Sequence, residues 1–571
     1  MTPQSSGPSL FLIEAAVTAI LIGLAFLSPR PGYTWFRAAE RWLGRLARRR
    51  ALAVAAVGVA ACAARLAILP ALPVPHPFVH DEFSHLLAGE TFAMGRLTNP
   101  TPALWEHFES FHIILHPSYM SMYFPAQGMF LAAGIELLGH PWFGVWLSAG
   151  LMCSALCWML QGWFTPGWAL FGGVLAVMRL GVFSYWMNAY HGGAVPAVGG
   201  ALVLGALARI MRHKRIRDAF WMGAGLALLA LSRPYEGLLV AIPVGLYLAV
   251  WAAWQRPLAV VFRRVALPLA SVLALTGAFM AYYNWRITGS ALNTAYEVNR
   301  STYAVARQFV WQPPRPEPAY HHKVMRDYYV SLEFPEAQKA GTLSGFLDGC
   351  LAKAGISLFF FFGFLLMPAL CFLPWTLRDR RMRFVVVAIA LLAAGLAVNF
   401  YMFPHYAAPG TALIYILLVQ CLRHLRVWRP ARQPVGRFLV RAIPVLCILL
   451  CGIRAWAAPL GITVERFPAM WYGTAPLGVA RAQVCAELSR RDGGQLAIVR
   501  YVPQHNPLNE WVYNEPDMNH AKVVWAREMD AASNQELIGY FSRRKVWLVE
   551  PDCKPPKISP YSADGKPEPE R

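Results

Sequence analysis

The sequence predicts a polytopic α-helical membrane protein with a small α/β region at its C-terminal end. Three observations predict it. Of 571 residues, 57% are hydrophobic and 15% are charged, against roughly 25% charged in soluble domains. Several apolar runs reach about twenty residues, enough to cross a hydrocarbon core of roughly 30 Å. The formal net charge of +21 is carried largely by arginine clusters between apolar runs, the pattern of cytoplasmic loops under the positive-inside bias. That distribution gives the charge a topological reason and argues against a nucleic-acid partner.

The first apolar run, 10–27, has no Lys or Arg before it and is followed by Arg30, Arg37, Arg41, Arg45 and Arg48–Arg50. A secretory signal has the opposite polarity and a small-residue cleavage site. The run is therefore read as an uncleaved helix with its N-terminus outside. A second helix, 51–72, returns the chain to the outer side and leaves the stretch 80–128 there. Segment 125–139 decides the remaining topology. If it crosses, every later basic loop falls outside. If it lies along the surface or only dips in, the loops 209–217, 256–264, 378–383 and 423–441 all fall inside, as the charge rule requires. The later spans are then 141–161, 167–187, 193–211, 219–232, 234–254, 265–285, 354–376, 384–402, 405–422 and 438–457. That makes about twelve of membrane-crossing type, with both termini outside.

The chain divides into three parts: 1–50, an extra helix and basic loop; 51–457, a membrane module with outer loops 73–140 and 286–353; and 458–571, an outer tail. In the tail, helix-like stretches (479–491, 531–541) alternate with β-like runs (495–502, 523–525, 546–549), which predicts a small α/β domain. Its last residues, 554–571, are rich in Pro, Lys and Glu and are expected to fray. Most of the ten cysteines lie in or beside apolar helices, where a thiol serves as a small buried hydrophobe. Cys485 and Cys553 lie in the tail, as free thiols or as a disulfide. No CxxC or HExxH is present, so a dedicated zinc site has no motif to support it; no cofactor is expected, and a divalent ion is an open alternative that no motif indicates.

Candidate site residues gather where the apolar runs end. His80-Asp81-Glu82 opens the first outer loop, and Glu106, His107, Glu109 and His112 follow. Phe83, Leu86, Leu87 and Met94 recur at helical spacing after Asp81, with Gly95 as a stop. Asp81 is then a helix cap, or a general base whose ionised form the helix N-terminus favours; the two roles are compatible. Glu82 is a second catalytic partner or a first-turn charge. Ser232–Glu236 interrupts an apolar hairpin. The helix before it reads as about fourteen residues, roughly 21 Å, which leaves Arg233 below the outer surface, where an arginine marks function unless it is simply paired. Glu236 is the available partner, and phosphate the functional alternative. His191, in the turn after Asn188 and Tyr190, and His405 with Tyr406 lie on the same face. Either histidine alone is an ordinary helix-end partner, but their convergence on Asp81 and Arg233 makes them candidates. In the long loop, Arg286, Arg300, Arg307 and His321 are interleaved with Trp285, Tyr296, Tyr303 and Tyr328, a mixture that meets phosphate headgroups or sugar rings outside a membrane.

Several of these elements fall in a known order. A helix precedes a loop opening Asp81-Glu82, a turn Gly95-Arg96-Leu97, and a helix with Pro125 and Gly128. Later come Tyr283-Asn284-Trp285-Arg286-Ile287-Thr288-Gly289-Ser290 and Phe403-Pro404-His405-Tyr406. Over roughly 51–423 the chain resembles the GT-C superfamily of membrane glycosyltransferases, within the protein mannosyltransferase and aminoarabinose transferase group. The resemblance implies a polyprenyl-phosphate-linked sugar donor, a glycan, lipid or protein hydroxyl as acceptor, and inverting transfer on the outer face of a bacterial inner membrane. Asp81 matches the family's acid in the first outer loop, and Arg233, Arg286, His405 and Tyr406 are the candidates for the donor phosphate. Many members carry a further acid in the second outer loop; here Asn188-Ala189-Tyr190-His191 has none. Glu106 and Glu109 are the candidates to replace it, with His191 and Glu236 as accessory groups. Two other classes stand beside this one. A transporter or flippase of lipid-linked glycans needs polar residues through the whole membrane depth. A non-catalytic scaffold presenting the tail leaves Asp81, Glu82 and Arg233 without a purpose.

Overall fold

Among the described residues of the computed structural model, ten helices, from Leu10–Leu27 to Val435–Ala455, are long and apolar enough to cross a membrane. The structure describes residues 8–464 and 470–561. Two shorter helices, Pro166–Leu180 and Ile216–Ser232, run among them. The second has 17 residues, about 26 Å at 1.5 Å per residue. It is thus longer than expected, because Ile216–Asp218 continue the helix past the apolar run. Arg233 owes its position to the chain break instead: it caps this helix and the next one, Pro234–Ala253, whose first residue is proline. The crossing expected at 354–376 is built of the end of Leu343–Phe361, then Gly363–Leu370 and Leu373–Arg378. The first break has a cause. A Cβ on Gly363 would stand 2.2 Å from the Arg179 guanidinium and 2.5 Å from the Glu14 carboxylate. Arg179 and Glu14 form a buried ion pair (3.1 Å), and Trp471 donates to the same carboxylate (2.9 Å). A charge inside a bundle needs such a partner, and this one fastens the extra N-terminal helix to the rest.

Segment Pro125–Leu138 is a helix of 14 residues, about 21 Å long and short of a crossing. It lies beside the helix His80–Ala93 at close range. A Cβ on Gly128 would fall 2.7 Å from that of Ala88, so the Pro125-to-Gly128 spacing starts a helix at proline and lets it press on its neighbour one turn later. The arginine-rich loops meet at the other end of the bundle. There Arg426 and Arg441 reach Glu40 (2.9 and 2.7 Å), on a helix Tyr33–Arg48 that leaves Trp35 and Trp42 exposed.

The described residues make six strands. β1 (Ile113–Ile114) and β2 (Met120–Ser121) form a small antiparallel ribbon in the first loop. β3 (Gly494–Val499) is central in the C-terminal sheet, parallel to β4 (Val523–Arg527) and β5 (Arg544–Glu550), with β6 (Lys557–Pro560) antiparallel on the edge of β5. The helices Val479–Arg490 and Ala531–Tyr540 accompany it, close to the expected alternation. Within the end expected to fray from 554, Lys557–Pro560 instead extends the sheet, with Ile558 paired to Val549; residues 562–571 lie outside the described residues. Cys485 and Cys553 are both free thiols. The sheet docks on the first loop: buried Arg527 donates to the Glu109 carbonyl (2.6 Å) and pairs with Glu510 (2.6 Å).

Candidate active site

The helix His80–Ala93 starts at Val79, and Glu82 in its first turn accepts three backbone hydrogen bonds: from Phe78 (3.0 Å), Val79 (3.3 Å) and Tyr190 (3.0 Å). The helix is therefore capped through Glu82, and Asp81 is not the cap. Glu82 is also not a free catalytic partner, because both its oxygens are occupied and it is buried. Its work is positional: it ties the turn at Tyr190 to the start of the first loop. Beside that turn, Gly192 has a φ of +83, and a Cβ there would strike Gln127 at 2.5 Å.

Asp81, free of capping, keeps a side chain 30% exposed to the cavity below. Tyr123 donates a very short hydrogen bond to its Oδ1. His112 Nδ1 lies 3.1 Å from the same oxygen, and His80 Nδ1 3.6 Å from Oδ2. Burial alone would raise its pKa, but His112 above all, with His80 and His191, holds it well below the usual carboxylate range. Burial and the neighbouring Asp81 charge push the Tyr123 phenol well up, so it remains a donor. The ribbon β1–β2 brings His112 and Tyr123 together, and Ser84 donates to the His112 carbonyl (2.6 Å). His112 itself has a φ of 60, a left-handed conformation seldom adopted by side chains of its size and concentrated at functional sites.

The facing wall carries Arg233. Its guanidinium lies over the Tyr406 ring (4.5 Å to the centroid) and 4.0 Å from Glu236. That pair is too long to consume its donors. His405 Nδ1 is 3.0 Å from the Tyr185 hydroxyl, and its ring stacks on His191 at 5.5 Å. Burial, and then Arg233, lower the His405 pKa well below its ordinary value, so the imidazole is neutral. Asp81, Glu82, His191, Arg233, Glu236, His405 and Tyr406 all line one cavity of about 850 Å³. Apolar side chains such as Leu72, Phe78, Phe183, Leu332 and Phe403 form much of its wall. Its lining comes from loops and helix ends at one end of the bundle, away from the arginine-rich loops.

Three predicted residues are elsewhere. Arg286 is exposed and reaches the Tyr282 hydroxyl (3.5 Å), because Tyr283 and Ile287 take the inward face of its helix. Glu109 is buried away from the cavity, accepting from Tyr303 (2.8 Å) beside His321 (3.1 Å). Glu106 lies next to it and offers its carbonyl to His322 (2.6 Å). Neither lines the cavity. The structure adds His85, Tyr123 and Tyr185 to the cavity wall and brings His80 and Arg300 there, the bidentate pair of Arg300 with Glu333 (2.6 and 3.1 Å) being fully internal. His85 stacks on Tyr123 at 4.5 Å. The density of His and Tyr in 80–123 signalled His85 and Tyr123, and no local pattern marked Tyr185.

Fold and cavity define an integral membrane protein with a polar site at one end of a helix bundle. No protein-family model matches the sequence, and no curated protein matches it. Among solved structures, the chain is similar to ArnT from Cupriavidus metallidurans bound to undecaprenyl phosphate, at 13% identity over 86% of this chain and 92% of that one, with a TM-score of 0.47. It is similar to the Archaeoglobus fulgidus oligosaccharyltransferase in complex with Zn and sulfate, at 12% identity over 87% and 67%, with a TM-score of 0.46. The mycobacterial arabinofuranosyltransferase AftD follows at 15% identity over 86% and 35%, with a TM-score of 0.38.

Proposed function

We propose that this protein is a membrane glycosyltransferase that moves a sugar from a polyprenyl-phosphate donor to an acceptor hydroxyl, with inversion, as the sequence resemblance implies. One observation carries the reading: an ionised carboxylate, Asp81, and a guanidinium with free donors, Arg233, open on one apolar-walled cavity at one end of the bundle. The isoprenoid chain packs along the apolar wall and its phosphate meets Arg233. The acceptor oxygen attacks the anomeric carbon from the Asp81 side, and the bond from that carbon to the phosphate oxygen breaks. Asp81 takes the acceptor proton as the new bond forms, when the hydroxyl has become acidic enough for a carboxylate of low pKa. The phosphate leaves with a full negative charge, which Arg233 stabilises. Tyr123 fixes the carboxylate, and Glu82 fixes the loop that presents it. The arginine-rich loops at the opposite end support an outer-side position for the cavity and the sheet under the charge rule.

A flippase needs charged groups at several depths, whereas the charged residues of this cavity lie at one end of the bundle. The test uses purified protein with a panel of undecaprenyl-phosphate sugars and extracted envelope acceptors. Transfer should release one free polyprenyl phosphate per sugar moved. Translocation of the intact donor across vesicles, with no phosphate released from any donor, would replace the enzyme by the transporter.

A further inference from the structure

The chain between the first two spanning helices, expected as a basic loop, is a helix. Tyr33–Arg48 has 16 residues, about 24 Å of length. It is held at one face of the bundle at three points. A short turn joins it to Leu27, the end of the first spanning helix, and Arg49 alone joins it to the next one, Arg50–Ala67. Midway, Glu40 meets Arg426 and Arg441, near the ends of two further spanning helices. A helix fixed so at both ends and in the middle runs along that face, not away from it.

Its side chains fall on three lines. Phe36, Glu40 and Ala47 turn to the bundle: Arg441 lies over the Phe36 ring (6.0 Å), and Ala47 is 1% exposed. Trp35 and Trp42 are two turns apart and 81% and 63% exposed. Arg37, Arg41, Arg45 and Arg48 recur one turn apart and are all exposed. None of the four pairs with a carboxylate among the described residues, because Glu40, the one acid in 28–50, is taken by Arg426 and Arg441. The lines lie about a third of a turn from one another. A helix resting on a membrane beside a bundle needs these three faces: one on protein, one in the headgroup–acyl boundary, and one among phosphates and water.

We propose that Tyr33–Arg48 is an in-plane anchor that binds anionic phospholipid headgroups of the membrane the bundle spans, with Trp35 and Trp42 at the headgroup–acyl boundary and the arginine line on the phosphates. Charge complementarity selects the occupant. Residues 28–50 hold seven arginines against one glutamate. An anionic surface attracts each basic side chain near it, and zwitterionic lipid offers no such field. A guanidinium also matches a lipid phosphate bidentately, and tryptophan belongs at the interface. The anchor holds the extra N-terminal helix from the arginine-rich end, as the Glu14–Arg179 pair holds it from within. Nothing in this inference depends on the transferase reading.

The test places the full-length protein in nanodiscs of POPC alone and of POPC mixed with POPG, and follows hydrogen exchange on peptides covering 33–48. POPG should slow exchange there about tenfold or more and leave strands β3 to β5 unchanged. Arg37→Gln, Arg41→Gln and Arg45→Gln together should reduce the POPG effect to less than about twofold. Equal exchange in the two lipids, or a POPG effect that survives the three glutamines, overturns the proposal. Should that variant fail to fold, salt decides on the unaltered protein: about 1 M NaCl should erase the POPG effect, and an effect that persists overturns the anchor. Protection absent from both lipids and gained only with cytosolic extract would give this face to a protein partner and overturn it likewise.

Discussion

Replacing Glu82 by glutamine tests whether the cavity is held open by one carboxylate. Three backbone N–H groups converge on its two oxygens at 3.0, 3.3 and 3.0 Å, and they come from both sides of the site: Phe78 and Val79 before the helix, Tyr190 from a turn 108 residues away. Glutamine keeps one acceptor oxygen and turns an amide NH2 toward at least one N–H. A buried N–H left without an acceptor costs about 1–3 kcal/mol, and losing the anionic acceptor weakens the bonds that survive. The combined effect is about 2–4 kcal/mol, confined to the two loops. At tenfold per 1.4 kcal/mol that raises local opening by roughly 30- to 1,000-fold. Hydrogen exchange followed by mass spectrometry reads it on peptides covering 76–84 and 186–194, with strands β3 to β5 as the unaffected reference. Unchanged protection in both loops would refute the assignment of Glu82 as their tie.

Arg233→Ala should reduce transfer by about 2–4 kcal/mol in the transition state, and Arg233→Lys should restore only part, since an ammonium makes no bidentate contact; the check is the rate at matched membrane level. Acid should destabilise the fold before it titrates ordinary carboxylates. Burial lowers His85 and His322 to about 3, so the unfolded chain binds protons that the folded one refuses. Stability is then full above the unfolded value near 6.5 and falls as pH drops toward 3, by about 1.4 kcal/mol per pH unit for each such histidine. Melting curves between pH 4 and 8 should show this slope, and His322→Gln should flatten it. Single cysteines placed at Arg380 and Asn506 in a cysteine-free background should label from opposite sides of the membrane; labelling from one side would reverse the topology.

The helices were legible because a membrane-crossing helix writes itself as an unbroken apolar run, and the arginine clusters mark where such runs end. The sheet region was legible for the same local reason, as alternation of strand-like and helix-like stretches. Asp81 and Arg233 stood out as charges at the edges of apolar segments. What stayed hidden were pairings over long stretches of chain. Glu82 read as catalytic because nothing local shows that Tyr190 would bring it an N–H. Glu109 read as a substitute acid because Arg527, which pins its backbone into the sheet interface, lies 418 residues away. Arg286 differs from its neighbours only by helical phase, which turns Tyr283 and Ile287 inward and leaves the arginine out. His112 reaches Asp81 only because the two-residue strands β1 and β2 fold the loop back, and pairing that short leaves almost no pattern.

The most direct test is the transfer rate of Asp81→Asn on purified protein, measured beside donor binding. Asparagine keeps the shape of the side chain and an oxygen for Tyr123, and no cap is lost, because Glu82 supplies it. Only the proton acceptor disappears. Transfer should fall about 10²- to 10⁴-fold while donor affinity stays within a few-fold. Transfer at the unmodified rate would contradict the role assigned to Asp81 and the mechanism built on it.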